Sequence, residues 1–109
     1  MCLLLLVARP KMMTALSGNA LMLDCSQKPV APVNWTYMHS PDSEVQHIIT
    51  DGSVVSDYTD RFDIHGSSLV IREVQLSDGG SYTCSDVKKD VFMYNVTVVG
   101  EKLQLFLDM

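Results

Sequence analysis

Asp78-Gly79-Gly80-Ser81-Tyr82-Thr83-Cys84 joins a glycine pair to an alternating Tyr-x-Cys run. The glycines are expected to end a strand rather than open a helix, because no helix-forming pattern follows them. Tyr82 and Cys84 then share one face of the next strand, since side chains in a strand alternate with a period of two. Working outward, the same period sets Leu21, Leu23 and Cys25 on one face. It does so again for Val33, for Trp35, the single tryptophan, and for Tyr37. Phe62 and Ile64, and then Leu69 and Ile71, repeat it before the chain returns to Asp78. Short alternating runs separated by Gly, Pro, Ser and Asp clusters indicate an all-β chain.

Two cysteines, a tryptophan between them and a tyrosine two positions before the second cysteine form a pattern that resembles the immunoglobulin superfamily, and within it the V-set. The resemblance covers roughly Gly18 to Val99, and Asp78, Gly80, Tyr82 and Cys84 match the family's Asp-x-Gly-x-Tyr-x-Cys corner. It implies an immunoglobulin-like β-sandwich, a V-type Greek key of two antiparallel sheets. It further implies a Cys25–Cys84 disulfide with Trp35 packed on it and Tyr82, Leu23, Leu69 and Ile71 in the core. A salt bridge between Arg61, opening a strand, and Asp78 of the corner is implied as well. Val74 and Leu76 are expected to close the bottom of the core.

The intervening residues favour the V-type. Val45-Gln46-His47-Ile48-Ile49 and Ser53-Val54-Val55, split at Asp51-Gly52, supply the additional strands of the larger set. Other strands are expected at 11–16, 20–25, 33–38, 61–64, 67–72, 82–85 and 91–99. Nothing between Val91 and Gly100 matches the Phe-Gly-x-Gly bulge of antigen-receptor joining segments, which argues against a rearranging receptor chain.

Length and composition bound what such a domain does. At 109 residues, 47% hydrophobic and 19% charged, the chain has enough apolar surface for one core. A formal charge of −5 argues against nucleic-acid binding, which requires clustered Lys and Arg. Asp42, Glu44, Asp51, Asp57, Asp60 and Asp63 against a single Arg61 account for that whole charge. This acidic edge either steers a basic partner or guards a strand edge against aggregation. Three cysteines, with one pair fitting the sandwich staple, place the chain in an oxidising compartment, secreted or at a cell surface. Cys2 is left over as a free thiol, an intermolecular bridge or part of a targeting segment.

The domain proper is expected over 11–100. Residues 1–10, with the run Met1-Cys2-Leu3-Leu4-Leu5-Leu6-Val7-Ala8, are too short to span a bilayer and read either as a secretory-signal remnant or as an N-terminal strand. Residues 101–109 extend the last strand, pair with the N-terminal one or begin a further segment. Any membrane association would require a segment beyond this chain.

No catalytic constellation emerges. His39, His47 and His65 lack ligand spacing, and no close cysteine pair suggests a metal, so neither an enzyme nor a cofactor is expected. Asn34-Trp35-Thr36 and Asn95-Val96-Thr97 are N-glycosylation acceptor triplets, and both asparagines should face outward because Trp35 and Val96 face in. Left bare, that face presents Met38, Val87, Val91 and Met93 among small polar residues, a candidate partner surface. Lys28, Asp51, Lys88 and Lys89, on loops at one end, form the alternative site. The principal functional reading is therefore an extracellular domain that binds another protein, an identical copy being one candidate, as an immune-type receptor or adhesion molecule. Alternatives are a structural spacer in a longer chain and a soluble recognition protein for carbohydrate or microbial surfaces.

Overall fold

Nine strands form two sheets in the computed structural model, which describes residues 10–25, 29–88 and 91–100. They are β1 (Lys11–Leu16), β2 (Leu21–Leu23), β3 (Asn34–Met38), β4 (Gln46–Thr50), β5 (Ser53–Val54), β6 (Phe62–His65), β7 (Ser68–Ile71), β8 (Gly80–Ser85) and β9 (Val91–Val99). The front sheet runs β1-β9-β8-β3-β4-β5 and the back sheet β2-β7-β6. All pairings are antiparallel except β1 with β9, which is parallel. Residues 1–9 and 101–109, and with them Cys2, lie outside the described residues, as do Lys28 and Lys89.

The core is the set of residues that the two-residue period turns inward from both sheets. Leu23, Trp35, Leu69, Ile71, Val74, Tyr82 and Cys84 are all fully buried. Cys25 and Cys84 are bonded across the sheets, with Cα atoms 5.6 Å apart and a sequence separation of 59. Closing a loop of that length stabilises the fold by about 4 kcal/mol on the chain-entropy model. The Trp35 indole stacks at 6.2 Å on Tyr94, and its Nε1–H donates to the Ser67 carbonyl at 3.1 Å. One contact thus ties the front sheet to the turn between β6 and β7 and gives the buried indole N–H its partner.

The corner is built around Asp78. A short 3-10 turn, Leu76–Asp78, brings the carboxylate inside, where Oδ2 accepts from the Gln75 backbone N–H at 2.7 Å. Arg61 grips the same carboxylate with both Nη atoms, at 2.9 and 2.6 Å. Tyr82 Oη donates to the Asp78 carbonyl at 2.6 Å. Leu76, expected in the core, is 64% exposed. The tight turn admits only one inward side chain, and Asp78 takes that place because Arg61 and Gln75 both await it.

Several boundaries differ from the sequence expectation. The glycine pair does not end a strand: Gly80 opens β8 with φ 146°. A Cβ there would lie 2.5 Å from the Met38 carbonyl oxygen, so only glycine lets β8 approach the end of β3. β2 is shorter than expected, although Cys25 beyond it remains buried. In β4 the register passes from Trp35↔Ile49 to Thr36↔His47, and this bulge turns both Ile48 and Ile49 inward. Val45 consequently falls outside the strand and is 49% exposed. Asp51-Gly52, both at positive φ, makes the two-residue turn joining β4 to β5.

A candidate protein-interaction face

The front sheet has an inner face, committed to the core, and an outer face whose composition follows from register alone. Three rows cross it. Val91, Ser85 and Asn34 form the first, at the loop end. Met93, Thr83, Thr36 and His47 form the second. Met12, Asn95, Ser81 and Met38 form the third, continued along β1 and β9 by Thr14 and Thr97. None of these residues is an acid, a lysine or an arginine. In a chain with 8 basic and 13 acidic residues, five adjacent strands contributing only Ser, Thr, Asn, His, Met and Val to these rows are a departure from an ordinary solvated surface.

Exposure follows the rows. Met12 (70%) and Val91 (45%) stand clear of the surface, with Val87 (54%) just past the end of β8. Met38 and Met93 are half-buried among their neighbours. Within the third row, Ser81 Oγ donates to Asn95 Oδ1 at 2.8 Å, and Asn95 Nδ2 lies 3.9 Å from Met12 Sδ. At the other corner Asn34 Oδ1 accepts from the Asp51 backbone N–H at 2.8 Å. Both acceptor asparagines therefore lie on the outer face with their carbonyl oxygens engaged.

An open cavity of about 490 Å³ adjoins the first row at the loop end, lined by Pro32, Asn34, Asp51, Ser85, Asp86, Val87 and Val91. Asp86 is buried there, its Oδ2 accepting from the Val30 N–H at 3.1 Å. Lys88 is exposed on the same turn. Of the residues singled out from sequence, Met38, Val91 and Met93 share the outer face, while Val87 and Lys88 sit beside it. Sequence reasoning missed Met12. Its outward direction was readable from the inward Met13 and Ala15 only in part, because its place beside Asn95 depends on the parallel pairing of β1 with β9.

Charge is concentrated elsewhere. Asp42, Glu44, Asp51, Asp57 and Asp60 are exposed along the β4 to β6 edge, and Asp63 pairs with Arg72 at 2.7 Å. That guanidinium holds the Asp63 carboxyl below its ordinary value. Burial raises the Tyr37, Tyr82 and Tyr94 phenols, and the carboxylate of Asp78 adds to the effect on the first two. Donation to the Asp78 carboxylate raises Arg61 further above its already high value. Among the described residues, no group of three or more His, Cys, Asp or Glu side chains could hold a metal ion. No helix among them is long and apolar enough to cross a membrane.

Comparison with known proteins agrees with this architecture. No curated protein sequence matches the chain. Among solved structures it is similar to Drosophila Semaphorin 2a, with 24% identity and a TM-score of 0.65 over 86% of the chain. It spans only 15% of that protein. It is also similar to the extracellular domain of the voltage-gated sodium channel beta4 subunit, with 21% identity and a TM-score of 0.61 over 87% of this chain and 89% of that one. The sequence model of the immunoglobulin V-set domain matches residues 8–105, so with its disulfide-pinned pair of sheets this chain belongs to the immunoglobulin V-set family.

Proposed function

We propose that the chain is an extracellular protein-binding domain of an adhesion molecule or immune-type receptor, and that its outer face pairs with the same face of a second copy. The observation that carries this is the uncharged field formed by β1, β9, β8 and β3. Interface cores are depleted in charge and enriched in methionine and aromatic residues relative to other surface. Two copies of a chain with net charge −5 repel across most orientations. Contact through the uncharged face keeps the acidic β4 to β6 edges at the periphery, where water and salt screen them. A basic partner would instead gain most from that acidic edge.

The strands of the face have 6, 9, 6 and 5 residues, and at about 3.3 Å per residue and about 4.8 Å per strand they cover a plane of about 410 Å². That is about half of the roughly 800 Å² per partner of a standard interface, before side-chain relief and the adjoining loop end are added. A like-with-like contact closes as a two-fold dimer. The sodium-channel beta4 domain, a relative in fold, forms parallel homodimers linked to cell–cell adhesion. The disulfide supports an oxidising, extracellular setting.

Sedimentation across a concentration series tests the proposal. Made without glycans, the wild-type domain is expected to show a monomer–dimer equilibrium, while Met93→Glu and Val91→Lys made the same way sediment as monomers with unchanged thermal stability. Each substitution places a charge in the contact from both sides of the two-fold axis, where it must be desolvated for the faces to meet. A wild-type domain that stays monomeric throughout, or a dimer indifferent to both substitutions, overturns the pairing.

A further inference from the structure

Asn95 lies on the face just described, between Met12 and Ser81, and is the first residue of an Asn-Val-Thr triplet. Its Oδ1 is held by Ser81 Oγ at 2.8 Å, which fixes the carboxamide and leaves Nδ2 beside the thioether of Met12. A thioether is a weak acceptor, so no strong hydrogen bond competes for that nitrogen. Thr97, two residues on, shares the outer face and is exposed. Asn34 differs in position: it borders the cavity at the loop end, in the first row of the face.

We propose that Asn95 is an N-glycan acceptor whose occupancy closes the outer face, so that the bare form pairs and the glycosylated form stays single. The inference rests on the pairing proposed above. In the transfer, Nδ2 bonds to C1 of the sugar of a lipid-linked oligosaccharyl diphosphate. The C1–O bond breaks, its electron pair leaves with the diphosphate, and Nδ2 gives up one proton while keeping the other. The Ser81 hydrogen bond to Oδ1 survives, since the oxygen takes no part. The sugar then displaces Met12 and stands over the third row, where a facing copy would need to approach within van der Waals contact.

The test uses the chain secreted from glycosylating eukaryotic cells in an Asn34→Gln background, so that Asn95 is the acceptor under observation. Intact mass reports occupancy, and sedimentation of the same material reports self-association. In the same background Thr97→Val removes the acceptor triplet but leaves Asn95 and its Ser81 contact in place. Carbohydrate on the parent, none on Thr97→Val, and self-association at least about tenfold weaker in the parent would support the gate. Endoglycosidase trimming of the parent to a single sugar should recover part of the association without any substitution in the strand. A parent without carbohydrate overturns the acceptor assignment. A glycosylated parent that associates as tightly as Thr97→Val overturns the gate alone. A bare Thr97→Val that never associates overturns the pairing and the gate with it, while the mass still decides the acceptor.

Discussion

Removing Asp78 or Arg61 should unfold this domain at markedly lower temperature, and the two losses should be unequal in origin but strongly coupled. The Asp78 side chain is only 6% exposed and that of Arg61 is 34% exposed. Stranding a fully buried charge costs about 3 to 5 kcal/mol. In Arg61→Ala the buried carboxylate keeps only the Gln75 N–H, so a loss near the lower end, about 3 kcal/mol, is expected. In Asp78→Ala the guanidinium is already one-third in water and swings out, which reduces the cost to about 1 to 2 kcal/mol. Losing the hydrogen bond to Gln75 N–H adds about 1 kcal/mol. Tyr82 keeps its partner in both variants, because it bonds the main-chain carbonyl of residue 78. For a domain of about this size each kcal/mol moves the midpoint by roughly 4 to 8 °C. Denaturant unfolding of both single variants and the double variant gives the coupling free energy, expected at about 2 kcal/mol. Single losses below about 0.5 kcal/mol that simply add would refute the reasoning and mark the pair as an ordinary solvated contact.

Other expectations follow from the same geometry. Gly80→Ala should cost at least about 2 kcal/mol, measured by urea unfolding, because its Cβ meets the Met38 carbonyl at 2.5 Å and the Tyr37 ring at 2.8 Å at a φ that alanine rarely adopts. Arg72→Ala should leave the unfolding midpoint nearly unchanged, since its partner Asp63 is half-exposed and the pair is solvated. From neutral pH stability should be flat up to about pH 10 and fall above it. The folded state raises the Tyr37, Tyr82 and Tyr94 phenols above their ordinary 10.0, so it binds those protons more tightly than the unfolded chain and loses that advantage as they ionise. Denaturant midpoints measured from neutral to strongly alkaline pH check the sign.

How much of this was legible in the sequence depended on whether a residue's fate is local. Cys25, Trp35, Tyr82 and Cys84 could be read because the strand period sets their facing and nothing distant changes it. Leu76 could not, since its exposure follows from a 3-10 turn that spends its one inward position on Asp78. Ile48 and Ile49 would face opposite ways in a regular strand, and only the bulge opposite Trp35 turns both inside. The face was partly legible: Met38, Val91 and Met93 follow from parity within their strands. Its uncharged character, and the place of Met12 beside Asn95, emerge only when cross-strand register lines up β1, β9, β8 and β3.

The methionines allow the pairing itself to be watched. Met12, Met38 and Met93 lie on the outer front face, whereas Met22, 49% exposed on β2, belongs to the opposite sheet and serves as an internal control. In a methyl-labelled dilution series followed by NMR, the account predicts that the Met12, Met38 and Met93 methyl signals move together with concentration while Met22 stays fixed. Signals that do not move at any concentration, or a Met22 that moves as much as the other three, would contradict it.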